Sequence, residues 1–237
     1  MFIKFLLRSY VPDSAAVLLL HTLGGGVRHV ASVLLQIEEL QLEVLEGGSV
    51  MLNGFYVVGK GTNSVVYRCR PRLGGFDLAC KIRRGDSTRP SLAQEGQLLH
   101  IANSVGVGPR LYTYSRDVIA YRYIDGVPLE KWWDSAGSKQ RRYLVEDLLT
   151  QAFRLDAAGV SHNELSRLER HVIVEGGRPV IIDFESATLG GGRNVTQVAS
   201  GLMRLGLKPP VDALRRYKSC MCRDALDEVL RGFLSQL

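Results

Sequence analysis

The sequence predicts an α+β fold, with an antiparallel sheet in its first half and mostly helices in its second half. β-branched and aromatic runs alternate with glycine turns from about residue 50 onwards, which is the pattern of an antiparallel meander. Beyond residue 126, apolar residues recur at helical spacing. The 237 residues are 46% hydrophobic and 23% charged. This composition is typical of a folded globular protein and excludes a fibrous or disordered chain.

Residues 1–48 are expected to form a short N-terminal helical element, interpreted as an adaptor or winged-helix-like appendage. Asp13 or Ser14 is placed to cap a first helix, and the glycines at 24–26 end it. A second helix is predicted to reach about residue 46, with an apolar face made of Val30, Val33, Leu34, Ile37, Leu40 and Leu42.

Five strands and one helix are predicted in the next segment, residues 49–124. Three strands precede residue 83, and a turn falls at Gly74-Gly75. Pro90 and Ser91 open a helix that runs to about Asn103. Two further strands are expected near 110–114 and 118–124.

The last segment, residues 125–237, is predicted to be mainly helical. The expected helices cover about 129–134, 139–158, 196–205 and 211–236. Two short apolar strands, at 172–174 and 180–182, interrupt them. They are joined by a turn that contains Gly176 and Gly177.

Positive charge is concentrated in one part of the chain. The formal net charge is +6, and residues 54–90 hold eight basic and two acidic side chains. Such a stretch suits nucleotide phosphates, RNA or an acidic partner. A solvated basic face on exposed strands is the alternative.

The cysteines and the N-terminus bear on cellular location. Cys69, Cys80, Cys220 and Cys222 form no C-x-x-C pair, and one intervening residue makes Cys220 and Cys222 awkward partners for a disulfide. Reduced thiols and a cytoplasmic setting are therefore expected. Lys4 and Arg8 interrupt the apolar start, so neither a signal peptide nor a membrane span is expected.

A glycine-rich run lies between two predicted strands. Residues 59–66 have the form G-x-G-x-x-S-x-V. Glycines at 59 and 61 allow the backbone to approach phosphate oxygens, and Val66 is placed to cover a purine base. A simple hairpin turn is the alternative.

A lysine on the following predicted strand adds to this pattern. Leu78-Ala79-Cys80-Lys81 places the lysine among apolar residues, where its charge needs a partner. Glu95, on the next predicted helix, offers a carboxylate that would hold Lys81 against phosphates. A surface lysine and a solvated glutamate are the alternative.

Together these motifs resemble the protein-kinase superfamily, in particular the small atypical kinases of the RIO group and predicted archaeal Ser/Thr kinases. The resemblance covers about residues 52–205 and implies two lobes, 49–124 and 125–237, the first with a five-stranded antiparallel sheet and the second reduced and mainly helical. It also implies an ATP site composed of Gly59, Gly61, Thr62, Val66, Ala79, Lys81, Glu95 and Tyr123.

Two further runs resemble catalytic motifs of that family. His162-Asn163-Glu164-Leu165 corresponds to His-Arg-Asp-Leu, and Asp183-Phe184-Glu185 corresponds to Asp-Phe-Gly. The resemblance implies that Asp183 binds Mg²⁺ and that Glu164 is the catalytic base, alongside Lys81.

The second metal ligand departs from the family pattern. Counting from Glu164 replaces the expected asparagine with Glu169, whereas alignment on the strand at 172–174 replaces it with His171. The alignment favours His171, but Mg²⁺ prefers oxygen ligands, so Glu169 remains open.

These features predict an ATP- and Mg²⁺-dependent Ser/Thr protein kinase. One alternative is an ATP-binding pseudokinase or ATPase-like switch, and another is a small-molecule kinase of the aminoglycoside or choline type. The short stretch after Asp183 lacks Ala-Pro-Glu and a long phosphorylatable loop. It is also too short for the peptide-binding helices of ordinary protein kinases or the helical lid of aminoglycoside- and choline-type kinases. By the resemblance to RIO-type kinases, this shortness favours a protein or ribonucleoprotein partner. A separate hypothesis is RNA contact through the basic strands.

Overall fold

The computed structural model describes residues 13–237, which divide into two compact units. The first unit consists of the described residues up to Gly96 together with 110–123, and the second consists of 97–109 together with 124–237. An antiparallel sheet dominates the first and helices dominate the second. The predicted mixed class with an antiparallel sheet is therefore confirmed.

Two helices begin the first unit, α1 (Asp13–Thr22) and α2 (Gly26–Glu39). The prediction that helix continues to residue 46 is wrong, because Gln41 adopts a left-handed conformation with φ of 54° and ends the helical run. Leu42–Leu45 instead forms strand β1, with Leu42 and Val44 facing the core in alternation. Leu42 thus contributes to a sheet face rather than to a helix face.

The main sheet of the first unit contains six described strands, one more than predicted. Its order is β1-β5-β6-β8-β7, with β4 paired to β5, and all pairings are antiparallel. Strand β1, which pairs with β5, precedes the segment 49–124 for which five strands are predicted. A separate hairpin joins β2 to β3. The strand bounds are β2 Val50–Leu52, β3 Phe55–Val57, β4 Gly59–Lys60, β5 Ser64–Pro71, β6 Leu78–Arg83, β7 Leu111–Tyr114 and β8 Val118–Arg122.

Helices α1 and α2 cover one face of this sheet and share a core with it. Strand alternation sends Tyr67, Cys80 and Ile82 to this face, where they pack with Leu19 and Val33. The hydroxyl groups of Thr22 and Tyr67 lie 2.6 Å apart in the same core. The described part of the predicted N-terminal element is therefore integral to the first unit.

Cys69 and Cys80 are joined by a disulfide within this core, with their Sγ atoms 2.14 Å apart. The expectation of reduced thiols is wrong here because Cys69 lies diagonally across the β5–β6 ladder from Cys80 on the same face. The prediction of a cytoplasmic setting rested on reduced thiols and so loses that support.

Most basic side chains of residues 54–90 have acidic partners within the first unit. Guanidinium–carboxylate pairs join Arg68 to Asp77, Arg70 to Glu43, Arg72 to Glu38, Arg83 to Asp117 and Arg84 to Asp86. Any RNA phosphate at these strands would compete with carboxylates already in place. Part of the basic excess is thus neutralised by acids from elsewhere in the chain.

Helix α3 (Ala93–Ser104) contributes its first turn to the first unit and its remainder to the second. The second unit then contains five longer helices and several short strands. The helices are α4 Leu129–Ser135, α5 Ser138–Ala157, α7 Asn194–Arg204, α8 Val211–Cys220 and α9 Arg223–Leu234, and a single turn, α6, covers Leu168–His171. The strands are β9 Val127–Pro128, β10 Val160–Ser161, β11 Val172–Glu175, β12 Arg178–Ile181 and β13 Thr188–Leu189. Strands β12, β11 and β9 form one sheet in that order, and β10 pairs with β13.

The single helix predicted for residues 211–236 is two helices. Met221 has φ of 45° and ψ of 35°, a left-handed conformation that ends α8. This turn brings Cys220 and Cys222 together in a disulfide, so the view of them as awkward partners is also wrong. None of the helices among residues 13–237 combines the length and apolar character that a membrane span requires.

Candidate active site

One face of the main sheet, opposite the face covered by α1 and α2, carries three of the predicted ATP-site residues. Val66 on β5 lies directly across the ladder from Lys81 on β6. Ala79 lies two residues before Lys81 and therefore points to the same side. Tyr123 follows β8, and the guanidinium carbon of Arg68 lies 4.1 Å from its ring centroid. Val66, Ala79 and Lys81 therefore form a small apolar surface with one charge.

Lys81 and Glu95 form a buried ion pair. Only 5% of Lys81 and 8% of Glu95 is exposed, and Lys81 Nζ donates a hydrogen bond to Glu95 Oε1 at 2.8 Å. Burial makes this pairing costly to break, because desolvation penalises an ammonium group whose carboxylate partner has been removed. Glu95 follows Lys81 by fourteen positions in the sequence, and in the structure the two side chains are in direct contact.

The local structure of α3 explains how Glu95 reaches the sheet. Ser91 Oγ accepts a hydrogen bond from the Ala93 N–H at 3.0 Å and donates one to the Arg116 carbonyl at 2.9 Å, which fixes the start of the helix. Gly96 follows Glu95, and a Cβ there would lie 2.5 Å from Tyr114 Cγ. The missing side chain therefore lets the first turn approach β7.

The glycine-rich run forms a tight hairpin between β4 and β5. Gly59 pairs with Val66, and the Gly61 N–H donates to the Ser64 carbonyl at 2.8 Å. Thr62 is exposed at the tip. A Cβ on Gly59 or Gly61 would make only ordinary contacts, at 3.9 and 3.6 Å. The space above the hairpin is open enough for a ligand to approach this backbone.

In the second unit, His162 begins the loop that contains Glu164 and is completely buried. Its ring centroid lies 5.0 Å from that of Phe184 and 5.3 Å from that of His171. Its Nε2 lies 2.9 Å from the Ile182 carbonyl oxygen. Burial lowers the pKa of His162 to about 4, so its imidazole is neutral at pH 7 and acts as a packing element of the loop.

Phe184 is fixed on its other side by Leu99 and Gly108. A Cβ on Gly108 would lie 2.9 Å from Leu99 Cδ1 and 3.1 Å from Phe184 Cε2, and Gly108 has φ of 84°. Both the space and the backbone conformation therefore require glycine at this position. Phe184, only 1% exposed, anchors the residues that follow Asp183.

Glu164 and His171 lie at the same end of this loop. His171 Nε2 is 3.9 Å from Glu164 Oε2, and Arg167 NH1 is 3.9 Å from Glu164 Oε1. Both contacts are longer than a hydrogen bond, and Glu164 is half-buried. The Glu164 carboxylate is thus close to one buried imidazole and one exposed guanidinium.

Glu169 and His171, the two candidates for the second metal ligand, lie in different surroundings. Glu169 lies 3.8 Å from Arg204 on α7, whereas the His171 ring is 5% exposed and packs on His162. Among the described residues, Asp183, Glu169 and His171 do not form a group whose ligand atoms all lie within 4.8 Å. The Asp183 carboxylate suits Mg²⁺, and the His171 nitrogens do not.

Sequence reasoning missed a buried network that supports the His162 loop. Asp156 Oδ1 accepts hydrogen bonds from the Asn194 backbone N–H at 2.8 Å and from Asn194 Nδ2 at 2.7 Å. Asp156 Oδ2 accepts from the Val195 N–H at 3.2 Å and from the Tyr217 hydroxyl at 2.9 Å. Asn194 Oδ1 in turn accepts from the His162 N–H at 2.9 Å. The start of α7 is thereby tied to the loop.

A weak signal in the sequence marks this network. Asp156 is the only acid in the last turn of α5, where a carboxylate is unfavourable beside the helix C-terminus. Burial raises the pKa of Asp156 even though these donors oppose the shift. No motif links Asp156 to Asn194 or Tyr217, which are 38 and 61 residues away.

Comparison with known sequences identifies no family for this chain. No protein-family model matches the sequence, and no curated protein matches it.

Among solved structures, the fold of this chain is similar to that of the Cydia pomonella granulovirus kinase PK-1. The TM-score is 0.51 at 14% sequence identity, and the match covers 69% of this chain. It spans 58% of the viral kinase's length. The comparison carries no support for RIO-like or archaeal features. The described fold is therefore similar to that of a protein kinase.

Proposed function

We propose that this chain is an ATP- and Mg²⁺-dependent phosphotransferase that transfers the γ-phosphoryl group to a serine or threonine hydroxyl of a protein. The buried Lys81–Glu95 pair carries the proposal, because Lys81 lies on the same sheet face as Val66 and Ala79. A lysine held by a carboxylate beside an apolar surface is suited to bind nucleotide phosphates next to a base.

Each residue has a defined role in this proposal. Lys81 holds the α- and β-phosphates, Glu95 orients Lys81, and the 59–66 hairpin covers the phosphates with its backbone. Asp183 would hold Mg²⁺, which supplies charge neutralisation for the phosphates when it is bound. Glu164 accepts the proton of the attacking hydroxyl, which is the task of a positioned carboxylate.

The test combines nucleotide binding with phosphate transfer by the purified protein. With γ-labelled ATP and Mg²⁺, the wild type is expected to label itself or a serine-containing acceptor protein. Lys81→Ala should reduce both ATP affinity and labelling, and Asp183→Ala should abolish labelling. Lys139→Ala and Asp134→Ala, at exposed helical positions, are matched controls and should retain activity. Unchanged labelling in both site variants would refute the proposal.

A nucleotide-binding switch without phosphate transfer is the second candidate. It is favoured by the surroundings of the two residues that could replace the usual asparagine, since His171 is a poor Mg²⁺ ligand and Glu169 lies beside Arg204. ATP binding that depends on Lys81, together with no labelling of any protein, would select it. In that case Glu164→Asp, with or without His171→Asn, tests whether the loop alone prevents transfer.

A further inference from the structure

The residues that follow Asp183 are held against the Glu164 loop by a short ladder. Strand β10 pairs with β13, so that Val160 faces Leu189 and Ser161 faces Thr188. The Gly190 N–H donates to the Gly159 carbonyl at 2.8 Å and extends the ladder by one bond. Residues 186–191, here called the exit segment, therefore have a defined backbone arrangement.

Ser161 contributes a side-chain contact at one end of the exit segment. Its Oγ lies 3.0 Å from the Gly190 carbonyl oxygen and 2.9 Å from that of Gly191, and Ser161 is only 3% exposed. Both acceptors belong to glycines with positive φ, 89° and 81°. The buried hydroxyl thus shares its one proton between two carbonyls of a turn whose conformation favours glycine.

Asn163 makes the corresponding contact at the other end. Its Nδ2 donates to the Ser186 carbonyl at 2.9 Å and to Thr188 Oγ1 at 3.0 Å. Asn163 has φ of 72°, a conformation that asparagine tolerates better than most residues. The amide therefore links the neighbour of Glu164 to a carbonyl three residues beyond Asp183.

We propose that Ser161 and Asn163 are positioning residues that clamp the exit segment and so fix Glu164 relative to Asp183. This arrangement needs no phosphorylated side chain in the segment. The donors of these contacts, the Ser161 hydroxyl and the Asn163 amide, are neutral and belong to the second unit. Neither contact depends on a phosphorylated side chain. The catalytic consequence rests on the proposed phosphotransferase function. The structural consequence, an ordered exit segment, does not.

The main test replaces the Asn163 donor while preserving its shape. Asn163→Asp keeps the size of the side chain and its tolerance of positive φ, but it places a carboxylate oxygen against the Ser186 carbonyl. Ser161→Ala removes the second contact independently. Asn53→Asp is a matched control in the first unit, because Asn53 also has positive φ, 50°, and its Nδ2 donates to the His21 carbonyl at 2.7 Å.

Hydrogen exchange of the full chain gives the structural outcome. In Asn163→Asp, protection of the amides of residues 188–190 should fall about tenfold, as expected from losing two hydrogen bonds of ordinary strength. Amides of β11 and β12 should keep their protection, and Asn53→Asp should leave the exit segment unchanged. Unchanged exchange at 188–190 in both Asn163→Asp and Ser161→Ala overturns the clamp, and so does an equal loss across the whole second unit.

Kinetics with ATP and Mg²⁺ give the catalytic outcome. We expect kcat for protein labelling to fall about tenfold in Asn163→Asp while KM for ATP changes less than twofold, because an interaction that positions the reacting groups affects turnover rather than nucleotide binding. Reduced protection with unchanged kcat overturns the positioning role. If the wild type transfers no phosphate, the proposed function fails while the exchange result still decides the clamp.

Discussion

The two units stabilise their buried acids in different ways. In the first unit, burial alone would raise the pKa of Asp117, but hydrogen bonds from Arg83 and Gln36 and the charge of Arg83 bring it below its usual value. In the second unit, burial raises the pKa of Asp156, whose donors Asn194, Val195 and Tyr217 are all uncharged. A cationic partner reverses the effect of burial, and neutral donors do not.

This difference suits the separate roles proposed for the two units. A phosphate-binding surface needs a fixed positive charge, and Lys81 is held by an anion of the same unit. A loop that presents a catalytic base needs a rigid backbone, and the Asp156 network and the neutral His162 supply one.

The largest effect is expected from breaking the buried ion pair. Lys81→Ala removes the ammonium 2.8 Å from Glu95 Oε1, and loss of one partner of a buried pair costs about 3–5 kcal/mol of unfolding free energy. Urea unfolding at pH 7 measures this loss.

The double variant Lys81→Met/Glu95→Gln provides the control for that measurement. It removes both charges while keeping similar volumes, and it should recover much of the lost stability because no unpaired ion is left buried. If Lys81→Ala and Lys81→Met/Glu95→Gln lose equal unfolding free energy, side-chain packing rather than charge stabilises the Lys81–Glu95 contact.

The same contrast separates what the sequence predicts from what it does not. The pairing of Lys81 with Glu95 is predictable because a lysine among apolar strand residues needs a charge partner, and Glu95 is the only acid of the next helix. The ion pair at Arg83 and Asp117 depends on two strands that are adjacent in the sheet but 34 residues apart. Only the tertiary pairing of β6 with β8 brings them together.

Two backbone features also escaped sequence reasoning. Gln41 and Met221 adopt left-handed conformations that glycine usually provides, and each ends a helix that its apolar pattern would have continued. Tertiary packing decides both breaks, since β1 must reach β5 and α9 must pack beside α8. The Cys69–Cys80 pair follows from the pairing of β5 with β6, and the Cys220–Cys222 pair follows from the left-handed turn at Met221.

A second large effect is expected in the second unit. Asp156→Ala leaves the Asn194 amide groups, the Val195 N–H and the Tyr217 hydroxyl without their common acceptor, and we expect it to cost about 3 kcal/mol. Urea unfolding measures the loss, and hydrogen exchange should show the start of α7 opening first. Asp147→Ala, also on α5 but less buried, is the matched control. Equal effects of the two variants would contradict a special role for Asp156.

A pH-dependent effect of intermediate size is expected at Asp117. Because its pKa is lowered in the folded state, its contribution is complete above the ordinary aspartate value of about 3.9 and is lost as the pH falls through the folded value. Asp117→Asn should therefore cost about 2 kcal/mol at pH 7, and the difference from wild type should shrink below about pH 4. Asp86→Asn, at an exposed ion pair, should change stability little at either pH. A difference that persists unchanged at pH 3 would argue against the charged pair.

The smallest effect is expected for Tyr217→Phe. The variant keeps the buried ring and its edge contact with Phe153 at 6.3 Å, but it removes the hydroxyl that donates to Asp156 Oδ2. A loss of about 1.5 kcal/mol is expected, the usual contribution of one hydrogen bond to a charged group. With one donor fewer, the pKa of Asp156 should rise further, and a raised carboxyl pKa makes stability decline as the pH rises past about 3.9. Unfolding free energies at pH 4 and pH 7 should therefore differ from wild type more at pH 7. An equal loss at both values would mean that the hydroxyl acts through packing and not through the charge of Asp156.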